Sequence, residues 1–185
     1  EIPFIPTIDI TEKLRLGHRV EKIVSHLIKA STNYIIRYEN LQIEDGNITI
    51  GEVDFIIEEI PTQQLIHLEL AYKFYLYDPS ISNTAFENWI GPNRNDSLKE
   101  KVEKLRDKQF PLLHNPLTNA LLKEIDIAAI QQQLCLLTSL YVPYSGKVEL
   151  APEYQKAVKG YYIAYKCFKT LEYKDQSFYI PAKRD

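Results

Sequence analysis

Apolar and polar positions follow two rhythms along this chain. Leu16, Val20, Ile23, Val24, Leu27 and Ile28 recur at the helical period. The spacing predicts an amphipathic helix from Glu12 to about Lys29, with Thr11 as its N-cap and residues 1–10 as an extended lead-in. From Tyr34 the rhythm shortens. Tyr34–Tyr38 reads as a strand that Leu41–Glu44 continues, and Asp45-Gly46-Asn47 is a hairpin signal. Two mostly apolar runs follow, Ile48–Ile57 and Leu65–Leu76, joined by the turn residues Pro61-Thr62-Gln63-Gln64. Such runs are buried strands. The first is interrupted by Thr49, Gly51, Glu52 and Asp54, the second by His67, Glu69 and Lys73.

Beyond them the pattern predicts a long loop over Asp78–Asn93, holding Trp89 and Gly91-Pro92-Asn93. Asn95 or Asp96 then caps a helix from Ser97 to about Phe110. A second long helix is expected from Leu117 to about Tyr141, with Leu121, Leu122, Ile125, Ala128, Ala129, Leu134 and Leu137 inward. Val142–Gly146 reads as a turn, and Tyr161–Phe168 and Ser177–Ile180 as a hairpin around Tyr173-Lys174-Asp175. The tyrosines at 154, 161, 162, 165 and 173 suit sheet-face packing, with base stacking as the alternative.

The buried acids change this picture most. Burying an unpaired carboxylate is costly. Side chains at i, i+2 and i+4 share a strand face, so Glu52 lies with Asp54, and Glu69 with Ala71 and Lys73. If the two strands pair antiparallel, these faces coincide and two or three carboxylates meet an ammonium. Converging carboxylates repel unless a cation separates them. A hard divalent ion such as Mg2+ or Mn2+, held by one or two carboxylates with water and substrate phosphate, answers that repulsion. At about 100° per residue, Glu21 sits at the edge of the apolar stripe of the first helix. It either reaches this site or is a surface glutamate beside Lys22 and Lys29.

A length of 185 residues with 45% hydrophobic content suits one domain, 1–185, with a core over about 11–112 and a C-terminal part over 113–185 that completes it. No run reaches the ~18 consecutive apolar residues of a membrane helix, and no signal-peptide pattern opens the chain, so a cytoplasmic protein without a membrane partner is expected. Glu1 is not a native start and Met is absent, so a fragment is the expectation. Cys135 and Cys167 lack metal-ligand spacing and read as two buried thiols. Residues 1–92 hold 7 basic and 14 acidic side chains, net −7, and residues 93–185 hold 15 and 11, net +4, which together give −3. A basic half beside an acidic site suits contact with nucleic acid; solvated helix faces with i,i+4 pairs account for it equally. The same two readings apply to Lys101, on the mixed-charge helix. There is no P-loop, no Gly-x-Ser-x-Gly and no zinc-ligand cluster.

A helix with Glu21, a strand with Asp54 and a strand with Glu69 and Lys73, followed by a helix, resembles the PD-(D/E)XK superfamily of restriction-endonuclease-like nucleases. A closer likeness is to a bacterial family, domain-of-unknown-function family 1853. It is carried by Gly17-His18-Arg19-Val20-Glu21, Asn40-Leu41-Gln42-Ile43, Gly51-Glu52-Val53-Asp54-Phe55, Glu69–Leu76, and Trp89-Ile90-Gly91-Pro92-Asn93 with Asp96, Lys101 and Gln109, over roughly residues 16–112. The resemblance implies an α/β fold with a mixed central sheet flanked by helices in αβββαβ order, with a further C-terminal helix and hairpin. It implies Glu21, Asp54, Glu69 and Lys73 as catalytic residues. Asp54 and Glu69, aided by Glu52, would be metal ligands, and Lys101, Gln109 and Asn93 substrate contacts. In one respect the chain departs from the superfamily. The position two residues after the second acid is Ala71, and Lys73 lies about 6–7 Å further along the same face. Lys73 keeps the role, Lys101 substitutes for it, or catalysis is lost.

Two functions follow as expectations. The first is a metal-dependent phosphodiesterase acting on DNA or RNA. The second is a non-catalytic module on the same fold that binds nucleic acid or protein, with the acids and Lys73 as an internal ion-pair network. A glycosidase with paired carboxylates explains neither Lys73 nor the basic half.

Overall fold

The computed structural model describes residues 14–144, 148–170 and 177. The fold is mixed α/β, with a six-stranded mixed sheet and helices beside it. Helix α1 (Leu16–Ala30) leads into β1 (Tyr34–Asp45), β2 (Ile48–Glu59) and β3 (Gln64–Tyr77). A 3-10 turn (Ala85–Asn88) and the short β4 (Trp89–Ile90) follow. Helix α2 (Leu98–Lys104) runs through a π turn (Leu105–Gln109) into α3 (Phe110–Leu112). Then come α4 (Pro116–Leu121), β5 (Gln131–Pro143), α5 (Pro152–Gln155), β6 (Val158–Tyr162) and α6 (Tyr165–Thr170). With the two-residue β4 and the short helices α3 and α4 as additions, the order through β5 contains the expected αβββαβ succession. Among the described residues no helix is long and apolar enough to cross a membrane. The chain forms two compact units, Glu1–Lys73 with Glu100–Leu137, and Phe74–Lys99 with Thr138–Asp185.

In the first unit β1, β2 and β3 form an antiparallel meander. The β1–β2 hairpin turns at Gly46, whose φ of 62° is open to a residue without a Cβ. One face of β2 and β3 supplies Phe55, Ile57, Ile66 and Leu70. These pack against Ile28 and, from the stripe of α1, Val20 and Val24. A second cluster joins Val53 and Ile56 to Leu113, Leu122 and Ile130. The stripe of α1 is narrower than its periodicity predicts, since Leu16, Ile23 and Leu27 are exposed. The helix starts at Leu16 behind Arg15, without a side-chain cap. The expected cap Thr11 and the lead-in lie outside the described residues.

The largest correction concerns residues 117–141. Asn115 caps α4 by accepting the Leu117 N–H at 2.9 Å, with Pro116 in the first turn, yet this helix ends at Leu121. Asp126 caps a single 3-10 turn, and Gln131–Pro143 is strand. Closely spaced leucines satisfy helical and strand periods alike. Cys135, Thr138, Tyr141 and Val142 suit a pleated, half-buried surface better. Of the residues expected inward, Leu122 is buried, whereas Leu121 and Leu137 are exposed.

In the second unit β4 pairs antiparallel with the end of β3 and β6 pairs parallel with the end of β5. Structure therefore replaces part of the expected 78–93 loop. Trp89 is fully buried, its ring 4.9 Å from Tyr77 and 5.6 Å from Tyr154. The Tyr162 hydroxyl donates to the Tyr77 carbonyl at 2.7 Å. The expected strand over 161–168 is a short strand ending at Tyr162, followed by α6. Cys135 is half-buried, but Cys167 is exposed on α6, contrary to expectation. The expected hairpin around Tyr173 falls outside the described residues, apart from Ser177.

Phe55 has no exposed surface and lies within the cluster packed against α1. Phe55→Ala should therefore lower the unfolding free energy by about 3–5 kcal/mol in urea titration. A loss below about 1 kcal/mol would mean that this cluster is not a core.

Candidate functional site

The register of β2 and β3 positions the acids. Paired residues run from Glu59–Gln64 to Phe55–Leu68. Asp54 and Glu69 are the next residues beyond the last pair, and their charges interact. The Leu70 N–H donates to Asp54 Oδ2 at 2.7 Å, so a side chain takes the place of a strand carbonyl there. Glu69 is 1% exposed. On β3 it shares a face with His67, Ala71 and Lys73. Gln109 bridges the same opening: its amide N–H donates to the Glu52 carbonyl at 3.3 Å and to Glu69 Oε2 at 3.4 Å. The π turn helps place it. The extra residue re-phases the helix, so that Gln109 faces the sheet and Lys108 faces solvent.

Electrostatics ties the remaining acids and lysines to this point. Burial pushes the Asp54 carboxyl up to about 7 from 3.8, helped by the charges of Glu69, Glu21 and Glu52 and opposed by the Leu70 N–H. Burial also raises Glu52, with Glu21 the next cause and Glu69 a lesser one, opposed by His18. The Glu52 side chain accepts from Gln42. Glu21, half-buried on α1, bonds to His18 Nδ1 at 3.0 Å. Lys101 is pulled below the usual lysine range by burial and then by Lys104 and Lys73, against the pull of Asp54 and Glu69. The first unit thus brings Glu21, Glu52, Asp54, Glu69, Lys73, Lys101 and Gln109 within electrostatic or hydrogen-bonding reach of one another. Asn93 belongs to the second unit, exposed in the turn after β4.

Sequence reasoning assigned no role to His67. It is fully buried, and its Nε2 lies 2.8 Å from Glu69 Oε1. Its ring meets the Phe110 ring edge-on at 5.6 Å. The amide nitrogen of Gln132 lies 3.2 Å from His67 Nδ1 and donates to the Phe110 carbonyl at 2.7 Å. The available signal was a histidine two residues before an acid in an apolar strand, on the acid's own face.

The donor set is hard oxygen, which fits Mg2+ or Mn2+ better than softer metals. Among the described residues no three acidic, histidine or cysteine side chains form a preformed metal-binding group. A cation here would therefore take one or two carboxylates and complete its shell with water and phosphate, as Mg2+ commonly does. Asp54 is raised first by burial and then by the charges of Glu69, Glu21 and Glu52, and a cation among these acids would relieve the second part of that cost.

The sequence model of a family described as Domain of unknown function (DUF1853) matches residues 3–185. No curated protein and no solved structure matches the chain.

Asp54 gives the metal-free protein a pH signature. Between about pH 4 and pH 7 the folded protein holds a proton on Asp54 that the unfolded chain has released. Stability therefore falls as pH rises through that window, by up to about 4 kcal/mol. Urea titrations in chelator should show this decline, and Asp54→Asn should flatten it. Parallel profiles for the two proteins would contradict the elevated Asp54.

Proposed function

The chain belongs to this family of unknown function, and we propose that it is a divalent-cation-dependent phosphodiesterase that hydrolyses DNA or RNA, built on a restriction-endonuclease-like core. The observation that carries the reading is the acid group at the opening between β2 and β3, with two lysines beside it. The α1-β1-β2-β3 succession followed by α2 and later β5, with Glu21 on α1, Asp54 on β2, and Glu69 and Lys73 on β3, supports the placement in the PD-(D/E)XK superfamily.

Asp54 and Glu69 would hold the Mg2+ or Mn2+, with Glu52 helping through the water of its shell. When bound, such a cation lowers the pKa of the attacking water and neutralises charge gathering on the phosphate. Asp54 must lose its proton to serve, so cation affinity should rise with pH through about 7. Glu21 reaches the group from α1 and is suited to orient water or a second cation. Lys73 carries fixed positive charge on the strand face of Glu69, where it can meet a phosphate oxygen. Lys101 adds a second positive group within the field of both acids. The net charge of +4 over residues 93–185 favours the phosphate backbone of a polynucleotide.

The test is cleavage of labelled DNA and RNA in Mg2+ and in Mn2+. Asp54→Ala and Glu69→Ala should each reduce cleavage to background while remaining folded. Lys73→Ala should lose roughly 10²- to 10³-fold. Cleavage that persists in both acid variants belongs to a contaminant. Absence of cleavage by the parent, with no cation binding by calorimetry, would overturn the reading in favour of a non-catalytic module.

A further inference from the structure

Glu69 has two oxygens in different circumstances. Oε1 lies 2.8 Å from His67 Nε2, a short and fully buried bond. Among the described residues Oε2 accepts the longer 3.4 Å bond of the Gln109 amide, well beyond the common N–H···O distance of about 2.9–3.0 Å. One oxygen is therefore committed to the short bond with His67, and the other holds the weaker partner, which a cation would have to displace.

The direction of the His67–Glu69 bond follows from its neighbours. The amide nitrogen of Gln132 bonds to the Phe110 carbonyl at 2.7 Å. A carbonyl only accepts, so the group there is the NH2 of Gln132, which fixes the orientation of its amide. That same NH2 faces His67 Nδ1 at 3.2 Å, so Nδ1 is the acceptor and carries no proton. The imidazole hydrogen is then on Nε2, donated to Glu69 Oε1. His67 is held against rotation by the Phe110 ring at 5.6 Å. Phe110 and Gln109 are adjacent, so a single turn at the start of α3 supports both the imidazole and Glu69 Oε2.

We propose, resting on the cation reading above, that His67 is a positioning residue. Locked by Gln132 in its neutral Nε2–H form, it fixes the Glu69 carboxylate so that Oε2 alone is presented to the cation. Glu69 is fully buried, so without this donor Oε1 would lose the hydrogen bond that replaces its water and the carboxylate would be oriented by the longer Gln109 bond. Outer partners of this kind set metal affinity by fixing their ligand.

Two measurements test this. Nitrogen shifts of the imidazole in the metal-free wild-type protein should report the neutral Nε2–H form of His67. A protonated Nδ1 would overturn the proposal without any substitution. Calorimetry with Mn2+ then compares the wild type, His67→Gln and His67→Leu. Glutamine offers an N–H to Glu69 and a carbonyl to Gln132, so it should keep affinity within about threefold, whereas leucine should weaken binding roughly 10- to 100-fold. A purely structural role would lower the urea stability of the leucine variant while leaving the Mn2+ affinity of its folded form unchanged, so both quantities are measured for each protein. If His67→Leu does not fold, Gln132→Leu replaces it, with weaker Mn2+ binding and a lost Nε2–H preference expected. Equal binding by the wild type and the leucine variants removes His67 from the site but leaves the cation. Absence of Mn2+ binding by the wild type removes both.

Discussion

Where β2 and β3 stop pairing, the Leu70 N–H turns to a side chain. Asp54 Oδ2 accepts it at 2.7 Å, immediately beyond the last paired residues, Phe55 and Leu68. A strand can leave its partner inside a protein only if its backbone groups are satisfied elsewhere. The Asp54 carboxylate meets that need, and so it is drawn into a dry position beside Glu69. Burial and the neighbouring acids then lift its pKa to about 7. The opening that creates the site and the electrostatic cost of the site thus have one origin.

Glu69 meets the same constraint differently. Its compensation comes from His67 at one oxygen and Gln109 at the other. Both partners depend on the helix running from Lys101 through the π turn to Phe110. Lys101 supplies positive charge, Gln109 crosses the gap, and Phe110 holds His67. The π turn is what allows one helix to present Gln109 towards the sheet after Arg106, Asp107 and Lys108 have faced solvent.

Much of this was legible in the sequence because strand geometry is simple. An Asp-Gly-Asn turn and two apolar runs sufficed to derive the β1–β2–β3 meander, and a period of two placed Glu69 with Lys73. The strand β5 was not legible. Its leucines at 134, 136, 137 and 140 fit a helical stripe, and only its partner strands decide between the two periods. His67 was visible as an interruption, but its role depends on Gln132, 65 residues away in sequence. Asp54 stood out as an acid in an apolar run. That it would replace a strand carbonyl depends on where the ladder opens, and pattern alone does not specify this.

A purely structural ion-pair network would be expected to match charges. Here the group combines four carboxylates, Glu21, Glu52, Asp54 and Glu69, with the lysines 73 and 101. Asp54 is driven towards its neutral form, and Lys101 is driven the same way by burial and by its basic neighbours. Both shifts oppose ionisation, and such shifts reduce stability at neutral pH. Evolution has simpler ways to stabilise a core, since apolar replacements of buried ions are often neutral or stabilising. Retaining buried acids beside one another at the point where two strands part is accounted for if a cation offsets their mutual repulsion. In a module whose acids served only the fold, the same repulsion would stand as an uncompensated cost.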